Sequence, residues 1–509
     1  MRSLRLTTLL TVLAGLAAAA ACDSQDAGGG AGGPSVTPGS GEPAGSVPGS
    51  PADPQPSTGG GGGGSSSGGS SSSSGGSSSG GTEPPETPIP YAAFDVNHVV
   101  STGQSNSVSH GGIPVLTTTQ PFANLSFDVG VMTSGDCERE GCRTYQKPSG
   151  FMPLTEGDSF WYPVETMSSA LANEGTLLAK GKYGKASHDI LVSLAGRNGL
   201  TYWCLRKGGC NFIDPTYMNS FDESLRQVTD AKAIATASGK SYAVRIVTSV
   251  HGESDDFAYA TKTQEFPLDG TDGTPQTIKS YKDGLIEWQR DFEAAIKGIT
   301  GQTQAVPLFI SQFSGWNDIA TSAVSQFQYQ AHVESKGKVV LVTPGYALEW
   351  GPDCRHYSNN GERRLGEYFG KAYARTVFEG RRWEPLRPVK VTHAGGSITA
   401  KFVVPVPPLV LDTQRIVDPG QYGFEVVDAA GAKVAISSVT LAGTDTVTIA
   451  LASVPAGSLR LRYAYTGVPQ TCPGASAGPR GNLRDSDTSP SQYGYELFNW
   501  AVHFDVPVE

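Results

Sequence analysis

The sequence predicts an α/β domain with a mainly parallel sheet, followed by a smaller antiparallel β-sandwich. Between residues 94 and 378, short apolar runs alternate with longer segments that have the spacing of amphipathic helices. This alternation is typical of a parallel sheet covered by helices on both faces. After about residue 384, short stretches of alternating Val, Ile, Leu and Thr are separated by Gly, Pro and Asp, a pattern typical of antiparallel strands joined by turns. The last of these predicted strands spans Tyr495 to Pro507.

The elements of the α/β part follow from these periodicities. The predicted strands are continuous in apolar residues, as expected for strands buried on both faces, and lie at 94–100, 188–195, 241–250, 306–313 and 338–343. Asn359 and Glu362 have the spacing of a capping box, which predicts the start of the last helix. The other predicted helices have apolar residues three and four apart and lie at 167–178, 221–238, 281–299 and 319–336.

The first 90 residues are predicted to lie outside the folded domains. Residues 1–22 have the layout of an export signal, because two arginines precede an apolar segment that ends in small residues. Cys22 after three alanines resembles a bacterial lipoprotein signal, in which this cysteine is lipidated; secretion with cleavage near Ala21 is the alternative. Residues 23–90 are rich in Gly, Ser and Pro without apolar periodicity, which predicts a disordered linker. We therefore expect an exported protein, held at the cell surface or in the periplasm as a lipoprotein and otherwise secreted.

Charge and hydropathy narrow the class of partner. The formal net charge of -10, without a basic cluster, argues against a nucleic-acid partner. No apolar run after residue 21 is long enough to cross a bilayer, so membrane contact is expected only through the N-terminal lipid anchor.

The cysteines predict disulfides. Of the 7 cysteines, Cys22 belongs to the signal, which leaves an even number in an exported chain and favours disulfides over a metal site. Sequence alone does not select one pairing among the many that are available. The hypothesis that closes two short loops and leaves one long-range bond pairs Cys137 with Cys142, Cys204 with Cys210, and Cys354 with Cys472.

Two separated motifs carry the chemistry of a serine nucleophile. Ser105 follows Gly103-Gln104 at the carboxyl end of the first predicted strand, where open α/β sheets bind ligands. A serine hydroxyl is a poor nucleophile until an imidazole takes its proton. Asp353 and His356 lie three residues apart on a loop before the last helix, a spacing at which a carboxylate can orient an imidazole. The structural alternatives are a helix N-cap for Ser105, a surface histidine for His356 and a turn residue for Asp353.

The Gly-Gln-Ser-Asn block around Ser105 resembles the first block of the SGNH (GDSL-type) hydrolases, in the branch of sialate O-acetylesterases and acetyl xylan esterases. A His-Gly-Glu-Ser-Asp block from His251 to Asp255 and the Asp-x-x-His motif follow in the order of that branch, so the resemblance covers about residues 94 to 378. It implies a flavodoxin-like three-layer αβα domain that needs no cofactor and no metal. By the same resemblance Ser105 is the nucleophile, His356 the general base and then acid, and Asp353 the carboxylate that orients His356.

The resemblance also implies donors for the oxyanion of a tetrahedral intermediate. The expected set is the backbone N–H of Ser105 and that of Gly199 or Gly196, because a glycine after a strand lets the backbone approach a ligand closely. A third donor is expected from the middle block, where this chain has His251 in place of the usual Gln; a neutral His251 could donate one hydrogen bond. Glu253 is expected to fix the loops around the nucleophile rather than to transfer a proton. The residues expected to support the site are Gln104, Asn106 and Glu253.

The resulting expectation is an exported serine esterase that removes O-acetyl groups from carbohydrate, either acetylated polysaccharide or sialic acid. The predicted organisation is an export signal at 1–22, a linker at 23–90, the esterase domain at 91–383 and the β-sandwich at 384–509. One alternative is a short-chain lipid or polyester esterase with the same triad. Another is a non-catalytic glycan-binding surface protein, suggested by His251 and by the β-domain. The β-domain either binds carbohydrate or supports the hydrolase, and we favour support.

Overall fold

The computed structural model describes residues 87–135, 144–157, 163–209, 218–263, 265–315, 320–454 and 456–509. The described residues fall in one compact unit. The predicted export signal, Cys22 and the predicted linker up to residue 86 lie outside the described residues. Among the helices of the described ranges, none combines the length and apolar character that crossing a membrane requires.

A seven-stranded sheet forms the centre of the α/β part, with the strand order β3-β2-β4-β1-β5-β6-β7. All pairings are parallel except β2 with β3, which is antiparallel and closes one edge. From β4 to β7 the order is that of flavodoxin-like folds, in which the first strand is central and the chain turns in opposite directions on its two sides. The strands are β1 Val96–Gly103, β2 Leu125–Phe127, β3 Phe151–Pro153, β4 Ile190–Leu194, β5 Tyr242–Val250, β6 Leu308–Gln312 and β7 Val339–Pro344.

Helices cover both faces of this sheet, as the sequence predicts. The helices are α1 Met167–Gly181, α2 Tyr202–Leu205, α3 Ser220–Ala237, α4 Glu253–Thr261, α5 Tyr281–Thr300, α6 Ala323–Ser335 and α7 Asn359–Phe378. Consecutive residues of β1 face opposite helix layers: Val99 packs with the layer of α1 and α7, and Val100 with the layer of α3, α5 and α6.

Two helix starts differ from the sequence-based expectations. The N-cap of α7 is Ser358, whose hydroxyl accepts a hydrogen bond from the N–H of Gly361, so the predicted cap at Asn359 is wrong by one residue. The polar block after β5 was not predicted to be helical, yet α4 begins directly at Glu253. Its first turn holds three acidic residues, a residue type that favours helix N-termini and could have predicted this start.

The C-terminal part contains the predicted antiparallel strands, in two four-stranded sheets ordered β12-β11-β15-β17 and β13-β14-β9-β8. Phe402 of one sheet and Phe504 of the other have ring centroids 6.1 Å apart. The N–H of His393 donates to the carbonyl of Glu509, and the N–H of Glu509 to that of Val391, so the edges of β8 and β17 also meet through the backbone. Packing as a sandwich stays a prediction. The strands are β8 Arg387–Ala394, β9 Ser397–Val403, β10 Val410–Leu411, β11 Phe424–Asp428, β12 Lys433–Val434, β13 Ile436–Ala442, β14 Thr446–Leu451, β15 Leu459–Tyr463, β16 Leu483–Arg484 and β17 Phe504–Val508.

The last segment before β17 packs against the α/β part instead of forming the predicted strand from Tyr495. Gln312, at the end of β6, donates through its side-chain amide to the carbonyl of His503 and accepts from the N–H of the same residue. The hydroxyl of Ser314 lies 2.6 Å from Nε2 of the buried His503. These bonds use the strand-forming groups of residue 503, which explains why the strand begins only at Phe504.

The predicted bond between Cys354 and Cys472 is present and links the loop before α7 to the C-terminal part across 118 residues. Cys204 is also disulfide-bonded. Its predicted partner Cys210 and the predicted pair Cys137–Cys142 lie outside the described residues.

Candidate active site

The turn that carries Ser105 is fixed by backbone geometry and burial. Gly103 ends β1 with a φ of +126°, and a Cβ there would overlap both the hydroxyl of Ser107 and the carbonyl oxygen of Val250. The Ser107 hydroxyl lies 2.6 Å from the carbonyl oxygen of Thr102 and 3.0 Å from that of Val250. The glycine is therefore needed for the close approach of this turn to β5, as expected for the Gly-Gln-Ser-Asn block.

After Gly103 the chain forms one helical turn. The N–H groups of Ser107 and Val108 donate to the carbonyl of Gln104, at 2.8 and 3.1 Å, and the N–H of His110 donates to that of Ser105 at 3.1 Å. Ser105 is buried at the start of this turn. Since β1 lies between β4 and β5, the turn sits where the strand order reverses, the position at which open α/β sheets bind ligands.

Asp353 and His356 lie on a tight loop that ends at Tyr357. The N–H of Gly351 donates to the carbonyl of His356 at 2.7 Å. Nδ1 of His356 is 2.6 Å from Oδ2 of Asp353, whose Oδ1 accepts from the N–H groups of Arg355 and His356. Partial burial raises the pKa of Asp353, but these hydrogen bonds outweigh it and hold the pKa well below its usual range. An ionised Asp353 accepts a hydrogen bond from the N–H at Nδ1, which leaves Nε2 as the proton acceptor of the neutral ring.

Asn106, the residue after Ser105, connects the two motifs. Its Oδ1 accepts from the N–H of Tyr357 at 3.1 Å, and its Nδ2 lies 3.3 Å from the carbonyl oxygen of Arg355. One side chain thus bonds to both residues that flank His356. The structure therefore brings the segments of Ser105 and His356 into direct contact at the carboxyl edge of the sheet.

Glu253 supports this arrangement from the first turn of α4. Its Oε1 accepts from Nδ2 of Asn106 at 2.6 Å. Burial raises the pKa of the Glu253 carboxyl, an effect only partly offset by the hydrogen bond from Asn106. Gln104 bonds to the same helix start, because its Oε1 accepts from the N–H of Ser254 at 3.2 Å. Glu253 thus holds Asn106 while the N–H of Ser254 holds Gln104, so the start of α4 bonds to the residues on both sides of Ser105.

His251 does not lie as expected for an oxyanion donor. Its Nδ1 is 2.7 Å from the hydroxyl of Tyr281, and its Nε2 is 3.0 Å from the carbonyl oxygen of Leu200. A carbonyl can only accept, so Nε2 carries the proton of the neutral ring, and Nδ1 accepts from Tyr281. Burial lowers the pKa of His251 to about 4, which keeps the ring neutral. The predicted donor role is corrected, because the one N–H of the ring is used within the core.

The two candidate glycines after β4 occupy different surroundings. Gly196 faces the turn that carries Ser105: a Cβ there would lie 2.7 Å from Cγ1 of Val108 and 3.6 Å from Cβ of Ser107. The next N–H, that of Arg197, donates to the carbonyl of Gly103 at 2.9 Å. Gly199 has a left-handed φ of 70° and is followed by the carbonyl that receives His251. Which of the two donates to an oxyanion stays a prediction.

One neighbour of the site was missed at the sequence level. The ring of His110 lies against that of His356, with centroids 5.4 Å apart and an interplanar angle of 31°. Its position five residues after Ser105 is the only sequence signal, and that signal becomes informative only once the helical turn is known. In the described ranges, no group of three or more His, Cys, Asp or Glu side chains is arranged to hold a metal ion.

No protein-family model matches the chain, and no curated protein matches it. Among solved structures, it is similar to a carbohydrate acetylesterase from Xanthomonas citri, with 12% identity and a TM-score of 0.47 over 81% of this chain and 80% of that chain. It is also similar to NanS, with 13% identity and a TM-score of 0.34 over 55% of this chain and 98% of that one. A carbohydrate acetylesterase from Sinorhizobium meliloti matches with 12% identity and a TM-score of 0.27, over 54% of this chain and 97% of that one.

Because the identities are 12 to 13% and the TM-scores lie below 0.5, the functional conclusion depends on the geometry around Ser105 and His356.

Proposed function

We propose that the chain is an exported serine esterase that removes O-acetyl groups from carbohydrate, with Ser105, His356 and Asp353 as its catalytic triad. The observation that supports this most strongly is the side chain of Asn106, which sits next to Ser105 and bonds to the residues on both sides of His356. Such a bridge joins a serine on a tight strand-to-helix turn to an imidazole that a carboxylate already orients.

In the proposed reaction, Nε2 of His356 takes the proton of the Ser105 hydroxyl as the oxygen attacks the acetyl carbonyl. The tetrahedral intermediate then expels the sugar alcohol, which receives that proton from His356, and the acetyl group remains on Ser105. Water, activated by the same imidazole, releases acetate. Asp353 stabilises the imidazolium that forms in each half-reaction.

The oxyanion is proposed to be bound by the backbone N–H groups of Ser105 and Gly196. The first N–H groups of a helical turn have no partner within that turn, so the N–H of Ser105 is available to a ligand. Gly196 is preferred over Gly199 because it lies directly against the nucleophile turn. Each well-placed donor of this kind contributes about 3 to 4 kcal/mol to the stabilisation of the transition state.

The carbohydrate acetyl ester is proposed because the three motifs resemble those of sialate O-acetylesterases and acetyl xylan esterases. Export is proposed from residues 1–22, with lipidation at Cys22 as the means of surface attachment. Acetate release should be screened on acetylated xylan, acetylated pectin and an O-acetylated sialoside, beside p-nitrophenyl acetate as a general ester.

The central test compares Ser105→Ala with Ser224→Ala. Ser224 is also a buried serine, but its hydroxyl donates to the carbonyl of Ser220 within α3, on another part of the fold. We expect Ser105→Ala to lose acetate release entirely and Ser224→Ala to keep it, with both variants folded by circular dichroism. An undiminished rate in folded Ser105→Ala would overturn the proposal.

The competing functions predict different outcomes of the same assays. A lipid or polyester esterase with the same triad would hydrolyse octanoyl esters as well as acetyl esters, whereas an acetyl-specific site rejects the longer chain. A non-catalytic glycan-binding protein would bind the acetylated glycans without releasing acetate. The presence of His251 in place of Gln no longer favours the non-catalytic alternative. His251 bonds to Leu200 and Tyr281 in the core, so the residue type at this position does not determine how an oxyanion is bound.

A further inference from the structure

We propose that the Cys354–Cys472 disulfide is a positioning device, through which the C-terminal part of the chain holds Asp353 in register with His356. This inference rests on the proposed esterase function and adds a role for a region that the catalytic residues do not include. Cys354 lies between the two residues that it is proposed to position, directly after Asp353 and two residues before His356.

The two halves of the loop are held in different ways. At its end, Arg355 and Tyr357 bond to Asn106, which fixes the backbone on both sides of His356. Asp353 has an exposed side chain, and its carboxylate accepts hydrogen bonds from Arg355 and His356 of its own loop. The disulfide of Cys354 therefore connects the Asp353 half of the loop covalently to another part of the chain.

The other end of the disulfide is anchored in the C-terminal part. The carbonyl of Ala475, three residues after Cys472, accepts from the N–H of Val417 at 2.9 Å. The segment also packs on the loop from Trp350 to Tyr357, which carries Asp353 and His356 and is called the acid–base loop below. A Cβ on Gly474 would lie 3.3 Å from Cδ1 of Trp350 in this loop. Trp350 in turn donates from its indole N–H to the carbonyl of Gly345 at 3.2 Å. The disulfide thus connects the loop to the C-terminal part, and the indole connects it to the residues that follow β7.

Loss of the crosslink should affect turnover more than substrate binding. A misplacement of about 1 Å in a catalytic group can cost on the order of 100-fold in rate. Complete loss of the orienting carboxylate of a triad costs about 10,000-fold, which sets the upper limit. For a carboxylate that is loosened but still present, we expect kcat to fall roughly 10- to 100-fold while KM changes by less than about 3-fold.

The test is a double-mutant cycle with p-nitrophenyl acetate. Its members are the wild-type protein, Cys354→Ser/Cys472→Ser, Asp353→Asn, and the combination of all three substitutions. If the disulfide acts through Asp353, removing it from Asp353→Asn should change kcat by less than about 2-fold, against the larger fall in the wild-type background. Equal effects in the two backgrounds, or an unchanged kcat in Cys354→Ser/Cys472→Ser, would overturn the proposal.

Reduction of the disulfide in the wild-type protein provides a second measurement of its effect on activity, without any substitution at Cys354 or Cys472. Dithiothreitol supplies two electrons and two protons, so the S–S bond breaks into two thiols and the reagent becomes a cyclic disulfide. Cys472 is exposed, which gives the reagent access to the bond. Activity should fall by the same factor while the far-UV circular dichroism is unchanged, and it should return on reoxidation.

The same treatment of Cys354→Ser/Cys472→Ser controls for the other disulfides, including that of Cys204. An equal activity loss in the treated variant would assign the effect to those bonds and reject the proposal, as would a wild-type protein that keeps full activity after complete reduction of Cys354. An oxidised wild-type protein without any esterase activity would instead reject the proposed function itself.

Discussion

The turn of Ser105 and the loop of His356 meet at one edge of the sheet but are held in place by different means. The nucleophile turn is buried, and its geometry is set by Gly103 and by the hydroxyl of Ser107, which contacts both β1 and β5. The acid–base loop is partly exposed, and it is held by the Asn106 side chain and by the Cys354–Cys472 disulfide.

Because of this difference, we expect substitutions in the two segments to affect the free energy of unfolding and the catalytic rate differently. Changes at Gly103 or Ser107, whose packing sets the geometry of the buried turn, should lower stability and activity together. Changes in the exposed loop should reduce catalysis while the fold persists, because few core contacts depend on Asp353. The four predictions below test that contrast, from the largest expected effect to the smallest.

Asp353→Asn is expected to lower kcat by about 10,000-fold while the free energy of unfolding changes by less than about 1 kcal/mol. The amide keeps the shape of the side chain but cannot stabilise the imidazolium. Asp428→Asn is the control, because the half-buried Asp428 likewise accepts from backbone N–H groups of its own turn, those of Ala430 and Ala432, within the C-terminal part. It should keep full activity. A large loss of stability in Asp353→Asn would remove the distinction between the two regions.

Gly103→Ala is expected to lower the free energy of unfolding by about 3 kcal/mol or more, because the added Cβ overlaps the Ser107 hydroxyl and the Val250 carbonyl. Gly184→Ala is the control, because it measures the cost of placing a Cβ at a left-handed φ without a steric overlap. Gly184 has a φ of +62° with open space around its Cβ position, so the change should cost only about 1 kcal/mol. Urea denaturation of the two variants measures the difference, and equal losses would show that the turn tolerates a side chain.

Asn106→Ala is expected to affect both regions. It removes the hydrogen bonds to Glu253, Arg355 and Tyr357, so stability should fall by about 2 kcal/mol and kcat/KM by roughly 10- to 100-fold. Asn97→Ala is the control at the opposite end of β1, where the buried side chain bonds to Phe94, Asp189 and Arg245. It should cost similar stability and leave kcat/KM within about 3-fold. A comparable activity loss in both variants would mean that Asn106 acts only through stability.

Glu174→Gln tests the helix pair that supports the acid–base loop, since α1 packs against α7. Burial, together with the charge of Glu367, raises the pKa of Glu174 to about 8. The unfolded chain releases this proton near its ordinary pKa, so the stability of the folded state falls as pH rises from about 5 to 8. Glu174→Gln should therefore stabilise the protein more at pH 8 than at pH 5, which urea denaturation at the two pH values measures. Glu334→Gln, at an exposed ion pair with Lys282, should show much less dependence on pH.

Much of this structure follows from local sequence patterns. The continuous apolar runs predicted the five parallel strands of the sheet centre, because strands buried on both faces cannot alternate polar and apolar residues. The even number of cysteines outside the signal led to the Cys354–Cys472 pair, which the structure confirms. The segments of Ser105 and of Asp353 and His356 were selected as candidates because residue types with a required chemistry lie at strand and helix ends.

The remainder depends on contacts that no local pattern encodes. His251 was expected at the site because its block resembles the middle block of the SGNH hydrolases, but its ring bonds to Tyr281 and Leu200 in the core, which are distant in sequence. The strand predicted from Tyr495 is replaced by bonds between His503 and Gln312, 191 residues apart. Neither partner could be identified before the sheet order was known.

The most direct test of the central claim, an activated Ser105 beside His356, is covalent labelling with a fluorophosphonate, which reacts with serines made nucleophilic by an adjacent base. Peptide mapping by mass spectrometry should find one adduct per chain, on Ser105, and the labelling rate should fall steeply in His356→Ala. Labelling of a different serine, or an unlabelled Ser105 in the folded wild-type protein, would contradict the account.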